Sequence, residues 1–517
     1  MQPSPPAQPA QTPSGIQLTP QQRECIQYLE HCRKNGLWGA TVVGYAGTGK
    51  TTTMGAYVDL LVGQGLRVAV SAPTNKAVRV LKDKMSNSGV HCTSTHSLLG
   101  IRMVEYEDGE YQSEKQGDAR IEKYHVVIVD ECSMISDAMY AQLTHWRENT
   151  FLVFVGDPCQ LPPVRSRNPQ SLSFRDEQDK GSFVLAQIVR QAEGNPIVGF
   201  SMQIREAESR GERFDTDRII AHVNACADQR LFLIQRQHVT DFLVNEQQKE
   251  SGNQEEHQMR MVAWRNQQVQ ESNAQMHRMV YGDTIEPFAV GEMAVAHAEF
   301  PAQRAVKAMQ YNPKTGSAEM DMMLMDSCRI VNSEEMRIMR IIRATHPRHP
   351  EIPAWQVFFQ RSVLQASGLH PAGDDSETFS AFIPVDESAW EQEIESLWKQ
   401  WREAKAKQKN EEQVSQSLQK RFPMTEENRQ QIQLHEHHAM EWGSHAKTLS
   451  AEGWSLRKGF AQLRHVYACT AHKSQGSTWH TAVLDLGDLQ RMPNTSEYNR
   501  ALYVAVTRAA YRLAIAV

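Results

Sequence analysis

Short apolar runs alternate with helix-like stretches up to about residue 210 of this 517-residue chain. Runs at 41–43, 67–71, 126–129 and 151–155 have the length and apolar character of strands that are buried on both faces of a sheet. A helix-like stretch at 52–62 follows the first of them. This alternation predicts an α/β fold in which helices wrap a parallel sheet.

A later apolar run at 259–264 precedes a helix-like stretch at 266–279 and predicts the start of a second α/β unit. The other strands of that unit are expected at 465–517, so residues from about 300 to 462 must form an excursion from it. Three segments of the excursion alternate enough to predict a small β-barrel: 328–331, 336–341 and 355–359.

Five apolar residues after these strands recur at helical spacing and line one face of a predicted helix: Trp390, Ile394, Leu397, Trp398 and Trp401. Such a face needs a partner to pack on. The stretch 403–433 is rich in Lys, Glu and Gln, and we interpret it as a solvated helical face rather than a dedicated binding surface.

Composition fits a globular protein of several domains, with 40% hydrophobic and 22% charged residues. Residues 1–17 hold five prolines among Gln and Ser, which predicts a disordered tail. No apolar stretch approaches the roughly 20 residues needed to cross a bilayer, and the eight cysteines are scattered without a CxxC pair. These features predict a cytoplasmic protein with reduced thiols and no membrane contact.

A glycine-rich loop at 44–51 lies between the first apolar run and the helix-like stretch that follows it. Its glycines let backbone N–H groups close around triphosphate oxygens, and Lys50 can reach the β- and γ-phosphates. Thr51 offers a hydroxyl to Mg²⁺. The sequence therefore predicts a binding site for a nucleoside triphosphate with Mg²⁺.

Two further strands end in residues suited to hydrolysis. Asp130 and Glu131 follow the run 126–129, and we expect Asp130 to hold Mg²⁺ while Glu131 polarises the attacking water. Gln160 follows the run 151–155, where a neutral amide can contact the γ-phosphate or its water without adding charge.

Taken in order, the motifs resemble those of superfamily 1 helicases. Motifs I, II and III are similar to 44–51, Asp130-Glu131 and Gly-Asp-Pro-Cys-Gln-Leu-Pro-Pro-Val at 156–164. The Q motif and motifs Ia, Ib, V and VI are similar to 18–22, 72–77, 93–97, 470–476 and Tyr-Val-Ala-Val-Thr-Arg-Ala at 503–509. Within the superfamily, the third and last motifs look like the type B branch of RecD-like and Dda-like DNA helicases.

The resemblance implies the identity of the site residues. ATP would be bound by Gln22, which reads adenine, and by Gly44, Ala46, Gly47, Thr48, Gly49, Lys50, Thr51, Thr52 and Gly476. Mg²⁺ would be held by Thr51 and Asp130. The catalytic residues would be Lys50, Asp130, Glu131, Gln160, Arg190 and Arg508, with Arg508 as the arginine finger.

The resemblance also implies 5′→3′ movement on single-stranded DNA and unwinding of duplex; the direction comes wholly from it. DNA would be bound by Pro73, Thr74, Asn75, Thr95, His96, Tyr111, Thr470 and His472. The expected partners are single-stranded DNA and junctions with duplex, with replication or repair proteins as candidates, and a monomer is expected. The net charge of −6 is unusual for such a partner, but a translocase must release its strand at every step and needs few phosphate contacts.

Two RecA-like P-loop domains follow from the resemblance, with a β-hairpin insertion in the first and an SH3-like barrel plus a helical insertion in the second. The first would span 18–215 with the hairpin at 98–122; the second would comprise 216–300 and 462–517, and the barrel domain 301–461 would include helices at 386–460. Asp108-Gly109 signals the hairpin turn. Tyr111 or Tyr106 could then stack on a junction base pair, although a solvated hairpin with surface tyrosines is an equal reading.

Other functions remain open at this stage. An RNA-directed helicase of the same superfamily, or an ATPase that is stimulated by single-stranded DNA and does not unwind, would carry similar motifs. The run His435-Glu436-His437-His438 is not HExxH, because the i, i+4 histidine is absent, and no carboxylate or cysteine ligand cluster is expected nearby. We therefore expect no metal site there.

Overall fold

The computed structural model describes residues 17–85, 90–105, 111–115, 117–163, 168, 170–189, 194–226, 228–250, 259–312, 317–361, 363–365, 368–370, 377–421 and 425–517. The predicted tail lies almost wholly outside this range. In the part of the chain described, no helix is both long enough and apolar enough to cross a membrane.

The α-helices within these ranges are α1 (Pro20–Lys34), α2 (Lys50–Gly63), α3 (Asn75–Lys84), α4 (Thr95–Leu98), α5 (Asp137–Thr144), α6 (Pro196–Ser209), α7 (Thr216–Ala225), α8 (Val239–Glu250), α9 (Asn266–Tyr281), α10 (Glu387–Arg421), α11 (Glu426–Gly459), α12 (Ala471–Ser474), α13 (Leu486–Leu489) and α14 (Thr495–Val506).

The strands are β1 (Gly39–Gly44), β2 (Val68–Ala72), β3 (His91–Ser94), β4 (Ile101–Glu105), β5 (Tyr111–Lys115), β6 (Val126–Val129), β7 (Phe151–Gly156), β8 (Lys180–Leu185), β9 (Leu231–Ile234), β10 (Met259–Ala263), β11 (Met293–Ala296), β12 (Phe300–Asn312), β13 (Ser317–Ile330), β14 (Glu335–Thr345), β15 (Pro353–Arg361), β16 (Val363–Gln365), β17 (Gly368–His370), β18 (Thr378–Pro384), β19 (Leu463–His465), β20 (Ala468–Thr470), β21 (Trp479–Asp485) and β22 (Ala509–Ala516).

The first sheet has the order β3-β2-β6-β7-β1-β8, and all its pairings are parallel. Every residue of β2, β6 and β7 is buried, because helices cover both faces of the sheet. The four strands predicted in this region are confirmed, and seven of their eight ends lie within one residue of the predicted position. Phosphate-binding and acidic segments therefore leave the same carboxyl edge of one sheet.

The second sheet has the order β20-β10-β21-β22-β9 and is also parallel. Its members come from two distant stretches of the chain, as expected from the run at 259–264 and the C-terminal segment. Helix α9 confirms the helix expected at 266–279. Together the two sheets confirm the α/β class with parallel sheets.

The excursion between these stretches forms a seven-stranded antiparallel sheet of order β13-β12-β18-β15-β14-β11-β19. The segments predicted at 336–341 and 355–359 lie in β14 and β15, and 328–331 overlaps the end of β13. The sheet begins at β11 and ends at β19, a few residues outside 301–461 on each side, because the chain leaves and re-enters through neighbouring strands. An SH3-like barrel remains a prediction.

A hairpin of β4 and β5 occurs where 98–122 predicted one, with Ile101 opposite Lys115 and Glu105 opposite Tyr111. The turn, including Tyr106 and Asp108-Gly109, lies outside the described residues. The side chain of Tyr111 is likewise not described, so its stacking role remains a prediction.

Helices α10 and α11 form a long antiparallel pair within the predicted insertion 386–460. Trp390, Ile394 and Trp398 are buried against α11, and the indole N–H of Trp390 donates to the backbone oxygen of Leu456 at 3.3 Å. The predicted apolar face and its need for a partner are confirmed. The solvated face expected at 403–433 is only partly confirmed, because Ala404 and Ser415 on α10 and Ile432 on α11 are buried.

A substitution at the base of this pair tests its packing. A Cβ at Gly453 would lie 2.5 Å from the Trp398 ring, so Gly453→Ala should destabilise the protein by about 1–3 kcal/mol. The control is Gly55→Ala, where a Cβ meets nothing within 4 Å in a helix, and which should stabilise by about 0.5–1 kcal/mol. Denaturant unfolding followed by tryptophan fluorescence measures both; equal effects would contradict the packing described.

Candidate nucleotide site and adjoining cavity

The glycine-rich loop joins β1 to the first turn of α2. Gly47 and Gly49 have positive φ angles of 81° and 75°, which residues with a Cβ rarely adopt. A Cβ at Gly49 would also lie 2.4 Å from the side-chain nitrogen of Gln22, and one at Gly44 would lie 2.7 Å from Lys50. The loop therefore needs glycine to turn back over the strand end.

Lys50 is folded onto this loop. Its Nζ donates to the backbone oxygens of Gly44 at 2.9 Å and of Tyr45 at 3.1 Å. Thr51 and Thr52 follow in the first turn of α2, half-buried, where the N–H groups of the helix start are directed outward. A triphosphate would find one cation and several backbone donors together at this point.

Gln22 connects α1 to the loop. Thr19 and Gln22 form a capping box at the start of α1, and the buried Gln22 amide donates to the backbone oxygen of Thr48 at 3.2 Å. The structure thus brings Gln22 next to the phosphate loop, as the motif order implied. Its predicted contact with adenine stays a prediction.

The acidic pair lies at the carboxyl end of β6. Asp130 is buried, and burial followed by the neighbouring charge of Glu131 raises the pKa of its carboxyl to about 6. Glu131 has a left-handed backbone with φ of 52°, and its N–H donates to Asp130 Oδ1 at 2.9 Å. Such strain in a non-glycine residue is typical of functional sites.

Several buried acceptors near these motifs lack hydrogen-bond partners among the described residues: Glu131 Oε2, Gln160 Oε1 and Gln475 Oε1. Gln475 and Gln160 are neighbours, since the Gln475 amide donates to the backbone oxygen of Leu161 at 3.2 Å. Unpaired buried acceptors are costly unless a ligand or water satisfies them. These residues, with the Asp130 carboxylate, fit a site for Mg²⁺ and a reacting water.

Helix α14 of the second unit contacts the phosphate loop of the first. The Tyr503 hydroxyl on α14 accepts from the Ala46 N–H at 3.2 Å and donates to Asp157 Oδ2 at 2.7 Å. Asp157, at the end of β7, is fully buried and also pairs with Arg205 at 2.5 Å. One carboxylate therefore ties α6 and α14 to the nucleotide edge of the first sheet.

Arg508 is buried near the same edge, but its guanidinium binds its own unit. It donates to the backbone oxygens of Val504 at 3.0 Å and Ser477 at 2.9 Å. Gly476 has a φ of 73°, and a Cβ there would lie 3.7 Å from that of Ala77. Arg190 lies outside the described residues, so its role remains a prediction.

Apart from Tyr111 in β5, the residues predicted to bind DNA lie at or next to the starts of α3, α4 and α12. Thr74 caps α3 by accepting from Ala77 N–H at 3.2 Å, and Thr470 caps α12 by accepting from Lys473 N–H at 3.3 Å. Thr95 is fully buried, and burial lowers the pKa values of His96 and His472. Pro73 and Asn75 flank Thr74 at the entrance to α3.

A cavity of about 340 Å³ lies between α3, the second sheet and the antiparallel sheet, and its lining contains five lysine or arginine side chains and two glutamates. Its lining includes Lys76, Arg260, His297, Glu335, Arg464, Lys473 and Trp479. Lys76 and Lys473 belong to the quoted motifs Ia and V, but the other members come from parts of the chain that carry no motif. Sequence reasoning missed them for that reason.

In the cavity, the Lys473 ammonium contacts the neutral imidazole of His297. Its Nζ lies 2.7 Å from His297 Nδ1, and burial together with Lys473 and Arg464 lowers the pKa of His297 to about 4. Burial, reinforced by Arg464, lowers the pKa of Lys473 to about 8. An anion in the cavity would relieve this repulsion.

One correction concerns the histidine cluster at 435–438. Glu411, on the facing helix α10, approaches His435 Nδ1 to 2.6 Å and His438 Nδ1 to 3.8 Å. The expectation that no carboxylate ligand lies near these histidines is wrong, because the antiparallel helix pair joins residues that are far apart in sequence.

The fold and site define a P-loop protein with two parallel sheets facing one nucleotide edge. Residues 17–224 match the family model described as an AAA domain, and residues 465–516 match the UvrD-like helicase C-terminal domain. The second match contains α14 and therefore Tyr503.

The chain is similar to named helicases. It is 35% identical over 158 residues to the ATP-dependent RecD2 DNA helicase of Deinococcus radiodurans. The matched segment covers 30% of this chain and 20% of that protein. The chain is 24% identical over 288 residues to the DNA helicase Dda of phage T4, covering 54% and 60% of the two chains. These matches confirm the resemblance to RecD-like and Dda-like helicases, and the matched part covers less than two thirds of each relative.

The chain was also compared with solved structures. The crystal structure of the Pif1 helicase from Candida albicans is 14% identical and covers 97% of this chain and 94% of that chain, with a TM-score of 0.45.

Removing the buried partner of Asp157 should cost far more stability than removing an exposed ion pair nearby. Arg205→Ala leaves a buried carboxylate without its cation and should lower the free energy of unfolding by about 3–5 kcal/mol. Arg210→Ala, which removes an exposed pair with Glu206 just past the end of α6, should cost less than about 1 kcal/mol. Denaturant unfolding compares them; a similar small loss in both would contradict the role assigned to Asp157.

Proposed function

We propose that this protein is an ATP-dependent 5′→3′ DNA helicase that moves on single-stranded DNA and unwinds duplex. The observation that carries the proposal is the contact of Tyr503 with the phosphate loop and with Asp157. It joins the C-terminal unit to the nucleotide edge of the first, so a change at the nucleotide can be passed between units. The direction rests on the resemblance to RecD-like and Dda-like helicases.

ATP binds at the loop 44–51 in this proposal. The backbone N–H groups and Lys50 hold the phosphates, and Lys50 exchanges its contacts with Gly44 and Tyr45 for phosphate oxygens. Thr51 and Asp130 would hold Mg²⁺, which supplies charge neutralisation at the β- and γ-phosphates. Glu131 orients the attacking water and accepts its proton, and Gln160 contacts the γ-phosphate.

Hydrolysis is coupled to closure between the two parallel sheets. Arg508 is held by backbone oxygens of its own unit, so its action as an arginine finger requires that it give up those contacts when ATP draws the units together. The hydroxyl of Tyr503 already touches both the loop and Asp157. At Tyr503, closure therefore tightens a contact that already exists, whereas Arg508 would make a new one.

Single-stranded DNA passes along the helix starts of motifs Ia and V. Lys76, Thr470 and Lys473 line the cavity, and Thr74, Asn75 and His472 are their close neighbours in sequence. Lys76 also lies 5.5 Å from the centre of the Trp479 ring. Basic groups beside an aromatic ring suit a sugar–phosphate backbone, and a few such contacts permit release at each step despite the net charge of −6.

The direct test is ATP-dependent strand displacement from a duplex that carries only a 5′ or only a 3′ single-stranded tail. We expect displacement from the 5′ tail alone. Lys50→Ala should abolish turnover while leaving single-strand binding, because the lysine serves the phosphates and not the DNA. Its control is Lys34→Ala, which removes an exposed lysine on α1 that pairs with the buried Glu30; Glu30 keeps its pair with Arg33.

Each other result identifies a different function. Displacement from the 3′ tail would overturn the type B assignment. DNA-stimulated ATPase without displacement would favour remodelling of protein–DNA complexes, and stronger stimulation by RNA oligonucleotides would favour an RNA-directed helicase. Retained ATPase activity in Lys50→Ala would refute the phosphate-loop assignment.

The lowered pKa of Lys473 predicts how DNA binding depends on pH. Because the pKa of Lys473 is about 8, its ammonium group loses its positive charge as the pH rises from about 7 to about 9. His297 is already neutral in this range and the Cys469 thiol, with a pKa of about 11, stays protonated, so neither changes its charge. Binding of single-stranded DNA should therefore weaken by roughly threefold to tenfold between about pH 7 and about pH 9. Fluorescence anisotropy with a labelled oligonucleotide measures this at constant ionic strength.

Lys473→Arg should flatten that profile, because a guanidinium stays charged throughout the range. Lys420→Arg on the exposed surface of α10 should retain the wild-type profile. A wild-type slope in Lys473→Arg would show that another group causes the pH dependence.

A further inference from the structure

The seam between α10 and α11 follows a seven-residue spacing. On α10, one series with this spacing is 390, 397, 404 and 411, and a second is 394, 401, 408 and 415. On α11, the two series are 432, 439, 446 and 453, and 435, 442, 449 and 456. Most described members are apolar or small and buried, as in a coiled coil. By this spacing, Glu411 and His435 occupy seam positions.

The seam changes character along its length. Its base, around Trp390, Trp398 and Leu456, and its middle, around Ala404 and Ala446, form apolar clusters. Farther out, Glu411 and His435 take the places where apolar residues would pack. A charged or polar residue in such a seam costs stability unless it serves register or binds a ligand.

Three side chains converge at this point. His435 Nδ1 lies 2.6 Å and His438 Nδ1 lies 3.8 Å from the same oxygen of Glu411, and one ligand atom from each of the three lies within 4.8 Å of the others. His438 follows His435 by three residues, which places both rings on one face of α11. All three side chains are partly buried.

The chemistry of these groups matches a transition-metal site. Two imidazole nitrogens and one carboxylate form an established ligand set for zinc, and bonds of about 2.1 Å in tetrahedral geometry place ligand atoms about 3.4 Å apart. The two Glu411 distances bracket that value. A fourth position would remain for water. By contrast, His437 pairs with Glu441 on a different side of α11 and takes no part.

We propose that Glu411, His435 and His438 form a binding site for a divalent transition-metal ion, zinc above all. The ion would join α10 to α11 across the polar part of their seam and fix the register of the two helices. This inference goes beyond the proposed function and does not depend on it. The alternative is a hydrogen-bonded Glu–His pair that sets the register without a metal.

The test measures zinc binding to the full chain by competition with a chromophoric chelator. The wild type should bind one more equivalent of zinc than the triple variant Glu411→Gln, His435→Gln, His438→Gln. His437→Gln is the matched control, since it changes a neighbouring histidine outside the cluster, and should bind as the wild type does. The eight cysteines are the same in all these proteins, so binding to them cancels.

A second variant keeps the result interpretable if the triple variant folds poorly. His438 is 42% exposed, so His438→Gln should leave the helices intact, as far-ultraviolet circular dichroism can check, while weakening zinc binding at least about tenfold. Zinc should also raise the thermal midpoint of the wild type and of His437→Gln, and not that of the triple variant. Equal stoichiometry in all variants, or no zinc bound by the wild type, would overturn the proposal in favour of the Glu–His pair.

Discussion

The arrangement of the site depends on the contacts that Tyr503 and Arg205 make with the buried carboxylate of Asp157. This carboxylate sits at the carboxyl end of β7, receives a hydrogen bond from Tyr503 and an ion pair from Arg205, and is wholly shielded from water. An uncompensated charge there would be very costly, so α6 and α14 are held against the first sheet. The phosphate loop, the acidic pair and the C-terminal unit consequently share one edge, where hydrolysis and movement between units can be coupled.

Much of this edge could be predicted from the sequence, because its determinants are local. The phosphate loop needs glycines at fixed spacing, and the strands before Asp130 and Gln160 are continuous apolar runs. The helix face bearing Trp390 and Trp398 follows from spacing alone. Each of these features depends on about a dozen residues that are adjacent in the sequence, and the structure contains each one with small changes at its ends.

Contacts between distant segments could not be predicted in this way. Nothing near Tyr503 in the sequence indicates that its hydroxyl meets Ala46, and nothing near His297 indicates that it holds Lys473. Glu411 approaches His435 only because α10 and α11 run antiparallel, so the residues next to His435 in the sequence do not indicate this contact. These contacts could not be predicted for one reason. The local sequence pattern determines which segments form helices and strands, whereas the packing of those helices and strands determines which distant residues meet.

We propose that the Tyr503 hydroxyl couples the C-terminal unit to the nucleotide. Tyr503→Phe keeps the buried ring and removes only the group that touches Asp157 and Ala46. The decisive measurement is ATP turnover with and without single-stranded DNA, alongside the Kd for a fluorescent ATP analogue. The account predicts nearly unchanged nucleotide affinity and a loss of DNA-stimulated turnover of roughly tenfold or more, the scale of one hydrogen bond to a charged group. Full stimulation in Tyr503→Phe would contradict it.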